Sequence, residues 1–342
     1  MEQALNKRKT LKNGKQTTGL AASFLHRYGT LLVILLTILV FSLTNEKFLT
    51  YQNFTDILRS ISIITLLSIG ITLSLIVGGF DLSVGSTASL ATVTSAIVLV
   101  WYRQETWAAI LVPLCIGIII GLLNALLVVK IKIPDMLATL AVMYIINGLH
   151  LTWTKGYSIY NNMPLGDGTT APGQFLPSFL FIGQGELGNV PFPVIFILIL
   201  VALVHVILNH TRFGRLLYMT GGNREAARLS GVPVNRYRTY AYVLSALFAT
   251  LAGIVLAARI GTGQVSAGAP LLMDGVSAAF IGFSVLGAGK PNVIGTFIGA
   301  VLIGVLLNGL TMLNVPYYAQ DIVKGAILLG ALALMYVQRQ NA

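Results

Sequence analysis

The chain has 342 residues, 56% of them apolar and only 10% charged. Soluble domains run nearer a quarter charged, so a soluble enzyme with a polar surface is excluded and a membrane protein indicated. Basic residues outnumber acidic ones by 22 to 11, and their placement makes this excess a topology signal, not a nucleic-acid footprint. One cysteine, Cys115, excludes an internal disulfide and a thiolate metal cage. The four histidines, at 26, 150, 205 and 210, are too scattered to form a metal site.

A membrane span needs about 20 predominantly apolar residues, and ten segments qualify: 29–45, 59–78, 83–102, 107–129, 136–153, 192–209, 239–257, 271–287, 292–313 and 317–337. The expected fold is an all-α polytopic bundle of about ten transmembrane helices, a single transmembrane domain over 29–337 preceded by a basic tail, 1–28. Segments around Asp81 and Asp274 pair 59–153 with 239–337 as two similar halves, which fits transporter architecture. No small-x-small cleavage site follows the first segment in Phe41–Lys47, so it reads as a span rather than a signal peptide.

With both termini cytoplasmic, sixteen Lys and Arg fall inside. They are six in the tail, Lys130 and Lys132, six arginines between 212 and 238, Lys290 and Arg339. Only Lys47, Arg59, Arg103, Lys155 and Arg259 fall outside, so the inside bias fixes the orientation. Trp101, Trp107 and Trp153 all sit at outer span ends, as an interfacial aromatic belt requires.

Two connections are long. The outer one, 154–191, reads as an irregular cap around a short apolar piece, Phe175–Ile182. In the inner one, 210–238, Asn223 can cap a helix, Glu225 sits in its first turn, and Gly231 with Pro233 ends it. A two-turn helix is marginal alone in water and needs the bundle or another protein to pack on. The expected docking element is Gly222, Asn223, Arg224, Glu225, Ala226, Ala227, Arg228 and Leu229.

Ionisable residues at membrane depth are costly and require a reason. Asp81, in Gly78-Gly79-Phe80-Asp81-Leu82-Ser83, sits where a helix stops and restarts. It serves either as a cap for the third span or as a substrate contact. Asp274 stands similarly at the head of the eighth span, and Asp321 and Lys324, three apart, can pair on one helix face. Asn124, Asn147, His150 and Asn308 can bond between helices. Asp81, Ser83, Asn124, Asn147 and Asp274 are the candidates for lining a translocation path. Gly117…Gly121 and Gly295…Gly299 favour tight helix crossings. No catalytic set emerges. A G-x-x-x-x-G-K-[ST] phosphate loop, H-E-x-x-H and G-x-S-x-G are all absent.

Several ordered motifs carry a resemblance over about 30–337. They are Gly79-Phe80-Asp81-Leu82-Ser83-Val84-Gly85-Ser86; Lys132-Ile133-Pro134 with Ala138-Thr139-Leu140; Thr211-Arg212-Phe213-Gly214-Arg215; Gly221 through Gly231; and Gly295-Thr296-Phe297-Ile298-Gly299-Ala300. The chain resembles the permease subunit of bacterial ABC importers of the ribose/galactose/xylose/autoinducer-2 class. The resemblance implies alternating-access import of a sugar or sugar-like solute across the bacterial inner membrane. It also implies a homodimer or heterodimer of permeases, with the path along their second and neighbouring spans. Two cytoplasmic ABC ATPase subunits that bind the ATP and Mg, and an external sugar-binding protein, are implied as partners. The chain itself would need no cofactor. The helix near 223–230 corresponds to the family's ATPase-coupling helix, where bulky replacements of Glu225, Ala226 or Ala227 are expected to uncouple transport. The rivals are a stand-alone secondary sugar transporter, using Asp81 or Asp274 for ion coupling, and a membrane enzyme acting on lipid-linked sugars, for which no clustered acid/base pair is present.

Overall fold

The computed structural model describes residues 28–166, 168–285 and 289–340; residues 1–27 of the basic tail lie outside them. Helix α1 covers Tyr28–Thr44. It is followed by α2 (Tyr51–Ile76), α3 (Val84–Ala96, continued as a π-helical turn to Trp101), α4 (Thr106–Ala125, continued likewise to Lys130) and α5 (Asp135–Thr154). The outer connection holds α6 (Pro177–Gln184) and a two-stranded hairpin, β1 (Glu186–Leu187) and β2 (Val190–Pro191). Then come α7 (Phe192–His210), α8 (Arg212–Gly222), α9 (Arg224–Leu229), α10 (Val234–Ile260), α11 (Gly268–Ser284), α12 (Val293–Met312) and α13 (Tyr317–Gln340). All ten expected spans are helices.

Capping moves the ends away from the hydropathy limits. Thr50 accepts a hydrogen bond from the Asn53 N–H, so α2 starts well before the apolar run. Asn292 does the same for α12 through Gly295. α10 extends back to Val234 through Asn235, Arg236 and Arg238, a polar turn that a hydropathy window passes over. It ends where Gly261 turns left-handed at φ +64°.

α2, α3 and α10 form the buried centre, while α4, α5 and α7 leave large apolar side chains such as Leu122, Leu149 and Leu203 exposed, as lipid-facing helices do. Neighbour relations repeat between the halves. α10 packs on α3 and α4 as α2 packs on α11 and α12, and α3 lies against α5 as α11 lies against α13. With the sequence-derived orientation α2 descends and α10 ascends, the relation an inverted repeat would have. The small-residue pairs sit at close crossings. A side chain at Gly121 would run into the Val243 and Tyr242 backbone on α10, and one at Gly299 into Ala278 on α11.

The outer cap is more ordered than its composition suggests. Ile159, Met163, Phe175 and Phe179 bury beside the outer end of α3, and the hairpin is fastened to α2 by Tyr51 Oη donating to the Asn189 carbonyl and by the Arg59–Glu186 ion pair at 2.7 Å. After α10 the chain turns back without helix. Gly263 pairs with Ile159, Thr92 Oγ1 donates to the Gln264 carbonyl, His150 Nε2 bonds the Val265 carbonyl, and the Gly268 N–H donates to Ser89 Oγ. Residues 263–268 thus run along one face of α3, with the Gln264 and Val265 carbonyls and the Gly263 and Gly268 N–H groups bonded to protein. His150, expected to bond between helices, bonds this segment instead.

Candidate functional site

The site is built on the break between α2 and α3. α2 ends with Gly78 at φ +68°, and Gly79 leaves so little room that a side chain there would meet Asp135 Oδ2 at 2.6 Å. Asp81 follows, with no exposed surface. Its Oδ1 accepts from the Ser83 N–H at 2.9 Å, from Ser83 Oγ at 2.6 Å and from Asn124 Nδ2 at 3.4 Å, and its Oδ2 accepts from Ser245 Oγ at 2.9 Å. Asn124 Nδ2 also donates to Ser83 Oγ at 2.8 Å. One carboxylate therefore ties the break to α4 and α10. No ion pair involves it among the described residues.

Asp81 was expected to cap α3 or to meet substrate. It holds Ser83, the residue just before the helix, and caps none of the first-turn N–H groups. Asp81, Ser83 and Asn124 come together, fully buried and bonded to one another. Asn147, half-buried on α5, is apart from them. Asp274 is apart as well. α11 begins at Gly268, so Asp274 lies within the helix and not at its head. The expected Asp321–Lys324 pair is present at 3.4 Å, yet the closer partner of Lys324 is Asp274 at 2.9 Å, joining α13 to α11. Asn308 reaches Asn53 Oδ1 on α2 at 2.8 Å, an interhelix bond of the expected kind.

A second tie escaped the sequence reading. Asp135 opens α5, its Oδ1 pairing with Arg238 Nη2 at 3.0 Å and its Oδ2 accepting from Tyr242 Oη at 2.7 Å. Thr139 one turn later accepts from the Leu82 N–H and donates to the Asp135 carbonyl. An acid in a helix's first turn looks ordinary, since the dipole favours it there; its one signal in the sequence is its place between Pro134 and Thr139.

The cytoplasmic pair α8–α9 adjoins this break. Thr211 caps α8 through the Gly214 N–H, and Gly221 packs on the Ile76 carbonyl so closely that no side chain fits. Asn223 Oδ1 accepts from the Ala226 N–H at 3.0 Å and starts α9; Gly231 at φ +80° ends it. Arg224 Nη2 reaches back to donate to the Gly78 carbonyl at 2.7 Å. Of α9, Ala227 alone is buried, and Leu229 is 85% exposed. Elsewhere on this face Tyr218 Oη donates to the Pro291 carbonyl, and burial pushes its phenol up to about 12. An apolar cavity of about 290 Å³ between α1, α2, α7 and α12 offers a sugar little to bond: its polar lining residue, Ser62, already donates to the Leu58 carbonyl and has only acceptor capacity left.

Residues 53–332 match the family model described as branched-chain amino acid transport system/permease component. The chain belongs to this permease family. It is 34% identical to the ribose import permease protein RbsC of Escherichia coli (strain K12), over 90% of this chain and 92% of the relative. It is also 34% identical to RbsC of Bacillus subtilis (strain 168), over 91% and 92%. Against the galactose/methyl galactoside import permease protein MglC of Escherichia coli (strain K12) the identity is 32%, over 89% and 91%. This family and the bundle of apolar helices agree in making the chain a multi-pass transmembrane permease subunit of an ABC importer, and the permease family lies almost entirely within the bundle from α2 to α13.

Proposed function

We propose that this permease carries a sugar or sugar-like solute inward across the bacterial cytoplasmic membrane, as one of two permease copies driven by separate ATPase subunits. The observation that carries this reading is α9. It is a short helix, capped at both ends, set on the cytoplasmic side, with its inner residue Ala227 against the protein and Leu229, Glu225 and Arg228 presented outward. A six-residue helix with an exposed leucine needs a partner surface, and an ATPase groove meets that need. The sugar comes from the named substrates of the relatives, while the family model's own description speaks of amino acids; the sugar is preferred because several separately named relatives agree.

In this mechanism ATP and Mg are bound by the partner subunits, whose closure moves α9, and the bundle alternates between inward- and outward-open states. An external binding protein would supply specificity, and few strongly binding side chains are needed along the path. Since α2, Asp81 and Asn124 are buried inside one chain, the path between copies belongs to helices with free faces.

The test is purification of tagged protein in mild detergent with mass spectrometry of what accompanies it, followed by uptake of labelled ribose, xylose and galactose in liposomes. An ATPase subunit that co-purifies, is lost when Ala226 is replaced by Trp, and is required for uptake supports the proposal. A chain that purifies alone and moves a sugar without ATP makes it a secondary transporter.

A further inference from the structure

The geometry points to Arg224 as the positioning residue that links α9 to the α2–α3 break, so that movement of α9 is delivered to residues 77–83. This rests on the reading of α9 as the ATPase-docking helix. The link has two parts. Backbone meets backbone where Gly221 packs on Ile76 and Gly78, and Arg224 Nη2 donates to the Gly78 carbonyl at 2.7 Å, with the Val77 carbonyl at 3.5 Å. Those carbonyls lie at the end of a helix, where carbonyls lack intrahelical partners and carry negative partial charge. A guanidinium is suited to them because its fork presents several fixed donors.

What the link grips is singular in this molecule. The turn 77–83 is the one place where α4, α5, α8, α9 and α10 all reach the same few residues among those described, through Asn124, Thr139, Gly221, Arg224, Ser245 and the Tyr242–Asp135 pair beside Gly79. A displacement of α9 carried by Arg224 therefore acts on the joint between α2 and α3, at the centre of the bundle. Without Arg224, α9 would remain capped by Asn223 and seated by Ala227, able to dock yet loosely connected.

The experiment uses the permease–ATPase complex and Mg·ATP as the probe, reading hydrogen exchange of residues 77–83 and of 223–230 with and without nucleotide. In the unaltered complex both segments should respond. In Arg224→Ala the ATPase should still co-purify and 223–230 should still respond, while the response at 77–83 falls by about tenfold, the size expected for loss of a charged hydrogen bond. Arg224→Lys, which keeps a donor and the charge, should recover much of it. A response at 77–83 unchanged in Arg224→Ala overturns the inference, and so does its absence from the unaltered complex. Loss of the ATPase from Arg224→Ala overturns it too, by making Arg224 a docking contact. If the unaltered chain binds no ATPase, the reading of α9 itself fails, a distinct result.

Discussion

Lys324 on α13 places its Nζ 2.9 Å from Asp274 Oδ1 on α11, and both side chains are nearly out of contact with solvent. Breaking a buried pair by removing one partner strands a charge and costs about 3–5 kcal/mol, whereas replacing both with apolar or neutral groups can be close to neutral. Lys324→Met should therefore lower thermal stability in detergent sharply, and Asp274→Asn with Lys324→Met should restore most of it. A double variant no more stable than the lysine variant would show that the pair is not coupled.

Asn223 supports α9 through one bond to the Ala226 N–H. Its replacement by Ala should cost about 1 kcal/mol locally, seen as faster exchange of 224–230 with an unchanged melting temperature for the bundle. Equal loss of protection throughout α10 would contradict this local role.

Two glycines should behave oppositely. At Gly121 a methyl group meets the α10 backbone, while at Gly148 nothing lies within 4 Å. Gly121→Ala should destabilise by about 1–3 kcal/mol through overpacking. Gly148→Ala, inside α5, should be neutral or slightly stabilising because Ala is the better helix former. Comparing detergent melting of the two variants decides it.

Ser245→Ala removes one donor to Asp81 and leaves that oxygen buried without its partner. A loss of about 1–3 kcal/mol is expected, together with faster exchange at 77–83. Were the exchange there unaffected, the carboxylate would not be holding the break.

Tyr218 gives a pH signature. Its phenol is pushed up to about 12 by burial, while in the unfolded chain it ionises near about 10. Below the lower value both states keep the proton. Between the two the unfolded state sheds it first, so stability falls as pH rises through that window. Tyr218→Phe should flatten this part of the pH–melting curve relative to the unaltered protein; parallel curves would count against the burial.

The spans and the α9 helix could be read from the chain because apolar length and capping residues are local signals. Long-range ties could not. Lys324 has an acid three residues away, and only packing of α13 on α11 reveals the nearer one at 274. Asp135 lies 103 residues from Arg238, and nothing in either neighbourhood announces the other. Asp81 was conspicuous as a lone acid at a break, but whether it faced solute or protein depended on where Asn124 and Ser245 arrive. The order in 154–191 was hidden because its buried residues are few and irregularly spaced, with no period to detect.

The stretch 263–268 restricts how the outer half can rearrange. The carbonyls of Gln264 and Val265 have Thr92 and His150 as partners, and wherever water does not replace a lost partner each orphaned group costs several kcal/mol. Sliding this stretch away from α3 while leaving α5 behind would break these bonds and is thereby disfavoured. α3, the stretch and the outer end of α5 are expected to travel together, so an opening toward the outside is cheapest at the edges of that group.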